Sequence, residues 1–158
     1  MHVSKGIKVL VTGGCGYIGS HTIVDLIQSG YDVVSLDNGL NASFDVLDGI
    51  EAITGVRVPN INVNLSEYEA VEAIRPYGPF GGIIHFAALK SVEESVYHPL
   101  RYFRNNVGGT LTTLAMMEEY NIPHLIFSSS CTVYGSPSKL PVTEDTPMGR
   151  AESPYGAT

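Results

Sequence analysis

Lys8-Val9-Leu10-Val11-Thr12-Gly13-Gly14-Cys15-Gly16-Tyr17-Ile18-Gly19 decides the fold. Its opening residues are a short β-branched, apolar run without polar alternation, the form of a strand buried on both faces, and Gly13-Gly14 stops it. From Tyr17 to Ser29 the apolar positions Ile23, Leu26 and Ile27 follow helical spacing, and Gly30 supplies a left-handed cap. A strand, a glycine turn and a helix therefore follow one another directly. In that context Gly13 allows the tight turn, Gly16 lets a pyrophosphate approach the backbone, and Gly19 lets helix and strand pack closely. The helix start offers unpaired N–H groups and the positive end of a dipole to phosphate.

The alternation continues along the chain. Residues 32–36 read as a second strand, 44–53 as a weaker helix, and 60–64 as a short third strand. A helix over 67–74 is expected to end at Pro76, and 82–86 reads as the fourth strand. After Pro99 a helix places Phe103, Val107, Leu111 and Leu114 on one stripe, and 124–128 is the fifth strand. Residues 134–154, rich in Gly, Pro, Ser and Thr, read as a loop over the sheet edge. Strands alternating with helices predict an α/β, doubly wound parallel sheet of the Rossmann type, with helices on both faces. Ligands of such sheets bind beyond the carboxyl ends of the strands, here Thr12, Asp37, Asn64, Phe86 and Ser128.

Asp37 closes the second strand, where a carboxylate can accept hydrogen bonds from both ribose hydroxyls of an adenosine and would repel a 2′-phosphate. Asn38 and Gly39 follow it with no arginine in reach by sequence, which favours NAD over NADP. Alone, Asp37 could equally start a turn. His85, on a buried strand, reads as a satisfied core histidine, and Glu93-Glu94 as a solvated helix start.

The 158 residues are 44% hydrophobic and 16% charged, which suits one domain around one core. A net charge of -7 argues against a broad nucleic-acid surface or a polybasic membrane patch, leaving a small-molecule partner. No window approaches the ~18 apolar residues of a membrane span and the amino terminus lacks a leader pattern, so a cytoplasmic protein is expected. Cys15 and Cys131 stand far apart without a nearby histidine and read as free thiols, with no disulfide framework and no metal site.

Thr12-Gly13-Gly14-Cys15-Gly16-Tyr17-Ile18-Gly19-Ser20-His21, Leu36-Asp37-Asn38, His85-Phe86-Ala87-Ala88-Leu89-Lys90, Asn105-Asn106-Val107 and Ser128-Ser129-Ser130-Cys131-Thr132-Val133-Tyr134-Gly135 resemble the extended short-chain dehydrogenase/reductase superfamily. More narrowly, the chain resembles the UDP-glucose 4-epimerase family, over nearly all of its own length but only the first half or so of a complete member. The resemblance implies that Gly13, Gly16, Tyr17, Ile18 and Gly19 hold the NAD pyrophosphate, and that Asp37, Asn38 and Asn41 hold the adenosine ribose. It places Asn64 and Leu65 beside adenine, Phe86, Ala87, Lys90 and Ser128 along the nicotinamide half, and Lys90 and Asn105 near the sugar diphosphate. Ser130 and Tyr155 match the family's catalytic pair, which also touches substrate, with Tyr155 beside the cofactor too. Asn64 stands where the family usually has Asp, Glu93 where glycine is common, and Cys15 and Ala88 replace other small residues.

By this resemblance UDP-glucose and UDP-galactose interconvert through a transient 4-keto sugar, with NAD held throughout and a homodimer formed at full length. The family's activating lysine lies four residues after its tyrosine, and the sequence ends at Thr158 before that position. Residues 1–158 are accordingly expected to be an NAD-binding domain, truncated before the lysine and the sugar lobe, with little turnover alone. Tyr155 is expected to fray, and the apolar edge around 125–127 to stay unpaired. The alternatives are other nucleotide-sugar enzymes of the superfamily, a decarboxylase or a 4,6-dehydratase, and a non-catalytic NAD-binding fragment. A dehydratase would carry an acidic pair after its serine or threonine, where Cys131-Thr132 stands.

Overall fold

A computed structural model describes residues 6–158. The elements run β1 (Lys8–Thr12), α1 (Tyr17–Gln28), β2 (Asp32–Leu36), α2 (Val46–Thr54), β3 (Asn60–Ile61), α3 (Glu69–Ala73), β4 (Gly82–His85), α4 (Val92–Tyr97), α5 (Pro99–Tyr102), α6 (Gly108–Glu119) and β5 (Leu125–Phe127). Their five strands form one sheet in the order β3-β2-β1-β4-β5, and every pairing is parallel. Parallel neighbours need crossovers, which here cover both faces with helices, so the expected doubly wound α/β sheet is what forms. The strand order reverses between β1 and β4, and the crevice for a ligand opens there.

Adjacent residues on each inner strand feed opposite cores, because a strand's side chains alternate between faces. Val9, Val11, Val33 and Ile84 pack with Ile23, Leu47 and Ile50 under α1 and α2. Leu10, Val34, Leu36 and Ile83 pack with Val71, Ile74, Phe80 and Met116 under α3 and α6. This double burial explains the continuous apolar run at 8–12.

Several local expectations need correction. β3 is only Asn60–Ile61, because the Val63 N–H turns back onto the Ile61 carbonyl at 3.1 Å. Pro76 does not simply stop the preceding helix: α3 ends at Ala73, and Pro76 sits in the 3-10 turn Arg75–Tyr77, whose first positions need no amide donor. Of the stripe Phe103, Val107, Leu111 and Leu114, Val107 is half-buried and the other three face outward, 43%, 62% and 46% exposed. α6 instead approaches the sheet through Gly109, Thr112, Thr113 and Met116, whose mostly small side chains let the backbone come close. Between α5 and α6 the residues Phe103–Val107 form a π-helical turn. One extra residue in the turn lets Asn105 line the crevice while Asn106 is buried.

Tyr155 is not frayed. It starts a 3-10 turn, Tyr155–Ala157, and its ring meets Tyr102 edge-on with centroids 6.4 Å apart. Asn106 donates from Nδ2 to Thr158 Oγ1 at 2.9 Å, which ties the turn to the body of the domain. At the sheet edge Ile126 and Phe127 remain 62% and 47% exposed, as the apolar sequence there leads one to expect.

Candidate functional site

The cleft at the switch point is built on the glycine turn. Gly13 has φ +70°, and a Cβ there would lie 2.8 Å from the Ala87 nitrogen, so the turn needs glycine for both conformation and space. A Cβ on Gly19 would lie 2.2 Å from the Gly13 carbonyl oxygen, so α1 can start this close to β1 only without a side chain. Gly16 precedes α1 as its cap and offers no side-chain bond, and the first turn of the helix holds no acidic residue. Its first N–H groups are thus left for an anion, and the dipole adds to the attraction.

Asp37, just past β2, is held by two main-chain donors: the Cys15 N–H to Oδ2 at 3.0 Å and the Gly39 N–H to Oδ1 at 2.9 Å. These bonds hold the carboxylate against the glycine turn at the border of the cleft. Its charge and the burial of Cys15 together push that thiol up to about 11, burial being the larger cause, so Cys15 stays a protonated, unreactive packing group.

Every cofactor candidate read from the sequence borders this single cleft. Gly13, Gly16, Tyr17, Ile18 and Gly19 form one wall, and Asp37, Asn38 and Asn41 the next. Asn64, Leu65, Phe86, Ala87, Lys90, Asn105, Ser128 and Tyr155 line the cleft as well. Some of these polar groups are already engaged. Asn38 Oδ1 accepts from the Leu40 N–H at 3.0 Å, and Asn64 Oδ1 from the Ser66 N–H at 3.1 Å, so both side chains shape their own turns. Lys90 is exposed, free to reach an anion in the cleft.

Ser130 does not border the cleft directly. Its side chain caps the 3-10 turn Cys131–Tyr134, accepting from the Thr132 N–H at 3.3 Å and from the Thr132 hydroxyl at 3.1 Å. With its lone pairs engaged, its own O–H remains available to donate. Tyr155 and Ser129 do line the cleft. His85 behaves as a core histidine: Nδ1 lies 2.9 Å from Thr12 Oγ1 and 3.2 Å from Thr113 Oγ1, the ring stacks on Phe127, and burial lowers its pKa to about 4. Glu94 is more than a solvated helix start, since it accepts from the Tyr102 hydroxyl at 2.7 Å and pairs with Arg101.

The family model described as NAD dependent epimerase/dehydratase family matches residues 9–158. The chain belongs to the NAD dependent epimerase/dehydratase family. The UDP-glucose 4-epimerase of Bacillus subtilis is 47% identical over 152 residues, 96% of this chain and 44% of that protein. The UDP-glucose 4-epimerase of Dictyostelium discoideum is 45% identical over 151 residues, again 96% of this chain and 44% of that protein. The UDP-glucose 4-epimerase of Bifidobacterium longum, solved in complex with NAD+ and UDP, superposes with a TM-score of 0.91 at 44% identity, covering 95% of this chain and 45% of that one. This epimerase/dehydratase family member thus spans less than half the length of the curated relatives it matches.

The sequence reading missed two residues that hold this family member's site together. Asn106 donates from Nδ2 to the Leu89 carbonyl at 2.9 Å and accepts the Leu89 N–H at 2.8 Å, fixing the loop after β4 that leads to Lys90. Tyr102 is fully buried, and its hydroxyl accepts from the Ser91 N–H at 3.1 Å. Its burial, with the Glu94 contact next, raises its pKa. A polar Asn106 beside Asn105 was the available signal, but helical periodicity assigns no inward face across a π turn.

Proposed function

We propose that residues 1–158 form the NAD-binding, Rossmann-type domain of a UDP-glucose 4-epimerase that interconverts UDP-glucose and UDP-galactose through a transient 4-keto sugar. The observation that carries this reading is the Asp37 carboxylate, held by two main-chain donors and sharing one cleft with the uncapped start of α1 and with Tyr155. A dinucleotide with two ribose hydroxyls and a pyrophosphate matches both groups. Gly13, Gly16, Tyr17, Ile18 and Gly19 would hold the pyrophosphate, and Asp37, Asn38 and Asn41 the adenosine ribose. Asn64 and Leu65 would flank adenine, and Phe86, Ala87, Lys90, Ser128 and Tyr155 would hold the nicotinamide half, with Asn105 bordering the cofactor from the sugar-diphosphate side.

Bound NAD would supply a hydride acceptor and donor at C4 of the sugar. Tyr155, as the phenolate, would take the proton of the 4-hydroxyl and, as the phenol so formed, later return it. Ser130, next to the cleft-lining Ser129 and with its O–H free of the two bonds that its oxygen accepts from Thr132, would turn that O–H into the cleft to donate to the same oxygen. Lys90 and Asn105 would hold the sugar diphosphate. Positive charge beside a phenol favours its anion, so proton transfer through Tyr155 would draw on such a charge. Because the relatives are more than twice as long, turnover belongs to the longer protein and cofactor binding to these residues. Cys131-Thr132, where a 4,6-dehydratase would place an acidic pair, disfavours that alternative.

The proposal extends to a homodimer and to a cytoplasmic enzyme of galactose metabolism. Phe103, Leu111 and Leu114, with Leu100 nearby at 59% exposed, give the α5–α6 segment an apolar outer stripe suited to a second copy. Titration calorimetry with NAD tests the central claim. Heat of binding in the wild type and its loss in Asp37→Ala support it, whereas no binding by the wild type overturns it.

A further inference from the structure

Below the adenosine end of the cleft lies a polar cluster that joins three elements. Ser35 on β2 is fully buried, and its hydroxyl donates to Asn60 Oδ1 on β3 at 2.7 Å. That bond fixes which end of the Asn60 amide points where. Nδ2 then donates to the main-chain carbonyl of Asp37 at 3.0 Å. The Asp37 N–H bonds the Ile61 carbonyl at 3.2 Å, so β3 grips Asp37 from both sides of its backbone.

The glycine turn rests on the same cluster. A Cβ on Gly14 would lie 2.3 Å from Ser35 Oγ, and Cys15 Sγ lies 3.9 Å from Ser35 Oγ and 3.8 Å from Asn60 Oδ1. The Cys15 main chain, seated this way, donates to the Asp37 carboxylate. Polar side chains at the end of a buried parallel sheet carry a desolvation cost unless they are paired, and here each is paired toward Asp37.

We propose that Asn60, oriented by Ser35, is a positioning residue for the dinucleotide: it fixes the backbone of Asp37 so that the carboxylate faces the adenosine 2′-hydroxyl. This rests on the reading of the cleft as an NAD site. Asn60 contacts no ligand in this account and acts through Asp37 alone. Its loss leaves the charge of Asp37 intact but lets the carboxylate drift from the ribose.

The test compares NAD with 2′-deoxy-NAD as ligands of the purified chain, by calorimetry on the wild type, Asn60→Leu and the double variant Ser35→Val/Asn60→Leu. The double variant removes both buried partners together and so guards against a single variant that fails to fold. The wild type is expected to prefer NAD by about tenfold, the order of a charge-assisted hydrogen bond. In the variants that preference is expected to fall toward unity. A general loss of stability weakens both ligands alike and leaves the ratio unchanged, so an unchanged ratio overturns the inference. If the wild type binds neither ligand, the cofactor reading itself fails. If it binds NAD and the variants keep the full preference, only the role of Asn60 is lost.

Discussion

Tyr102 and Tyr155 meet edge to face, their ring centroids 6.4 Å apart, so a fully buried aromatic side chain braces the phenol that borders the cleft. The brace is itself anchored, since the Tyr102 hydroxyl donates to Glu94 and accepts from the Ser91 N–H. Tyr102→Phe keeps the ring and removes the anchor, leaving a partly buried carboxylate and an amide short of a partner. The expected cost is about 1–3 kcal/mol, a fall of several degrees in melting temperature for a domain of this size. Thermal unfolding followed by circular dichroism checks it. An unchanged melting temperature would show that water replaces the hydroxyl.

Gly19 and Gly49 make a matched pair of substitutions with opposite expected signs. A methyl group at Gly19 would lie 2.2 Å from the Gly13 carbonyl oxygen, so Gly19→Ala must push the turn away from α1. Destabilisation of about 1–3 kcal/mol, with weaker NAD binding, is expected. Gly49 lies inside α2, where a Cβ meets nothing within 4 Å, and Gly49→Ala should stabilise by roughly 0.5–1 kcal/mol through reduced backbone entropy. Urea titration of both variants gives the two signs.

His85 links stability to pH. Its folded pKa of about 4 lies below the ordinary value of 6.5 because burial disfavours the imidazolium. The unfolded chain therefore binds the proton more readily, so the contribution of neutral His85 is fully present above pH ~6.5 and is lost as pH falls toward 4. The linked change is about 3 kcal/mol across that window. Carboxylates also titrate there, so the quantity to measure is the difference in unfolding free energy between wild type and His85→Gln as a function of pH. That difference should shrink on acidification, and a pH-independent difference would contradict the assignment.

Leu111 lies at the centre of the outward stripe and is 62% exposed. Leu111→Glu should abolish self-association, read by sedimentation velocity, without lowering the melting temperature of the monomer, because the side chain touches no core. A wild type that sediments as a monomer at high concentration would remove the dimer reading for these residues.

The sheet was legible because each inner strand is apolar on both faces. Val9, Leu10 and Val11 read as a buried parallel strand before any contact is known, and the glycine turn behind them marked the ligand end. Asp37 was legible from its place after β2. The outward direction of Phe103, Leu111 and Leu114 was not, because a helical stripe has the same period whether it meets the sheet or the solvent. The π turn hid Asn106 in the same way, by breaking that period. Asn60 and Ser35 were illegible for another reason: their pairing joins β3 to β2, and that register exists only once the chain has folded.

The single inserted peptide unit at Phe103–Val107 gives two neighbouring side chains opposite destinations. Of two adjacent asparagines, one looks into the crevice and its neighbour is locked into the interior. The two remain in touch, since the Asn105 amide donates to Asn106 Oδ1 at 3.0 Å, so a substitution on the crevice side is relayed to the interior anchor through that bond.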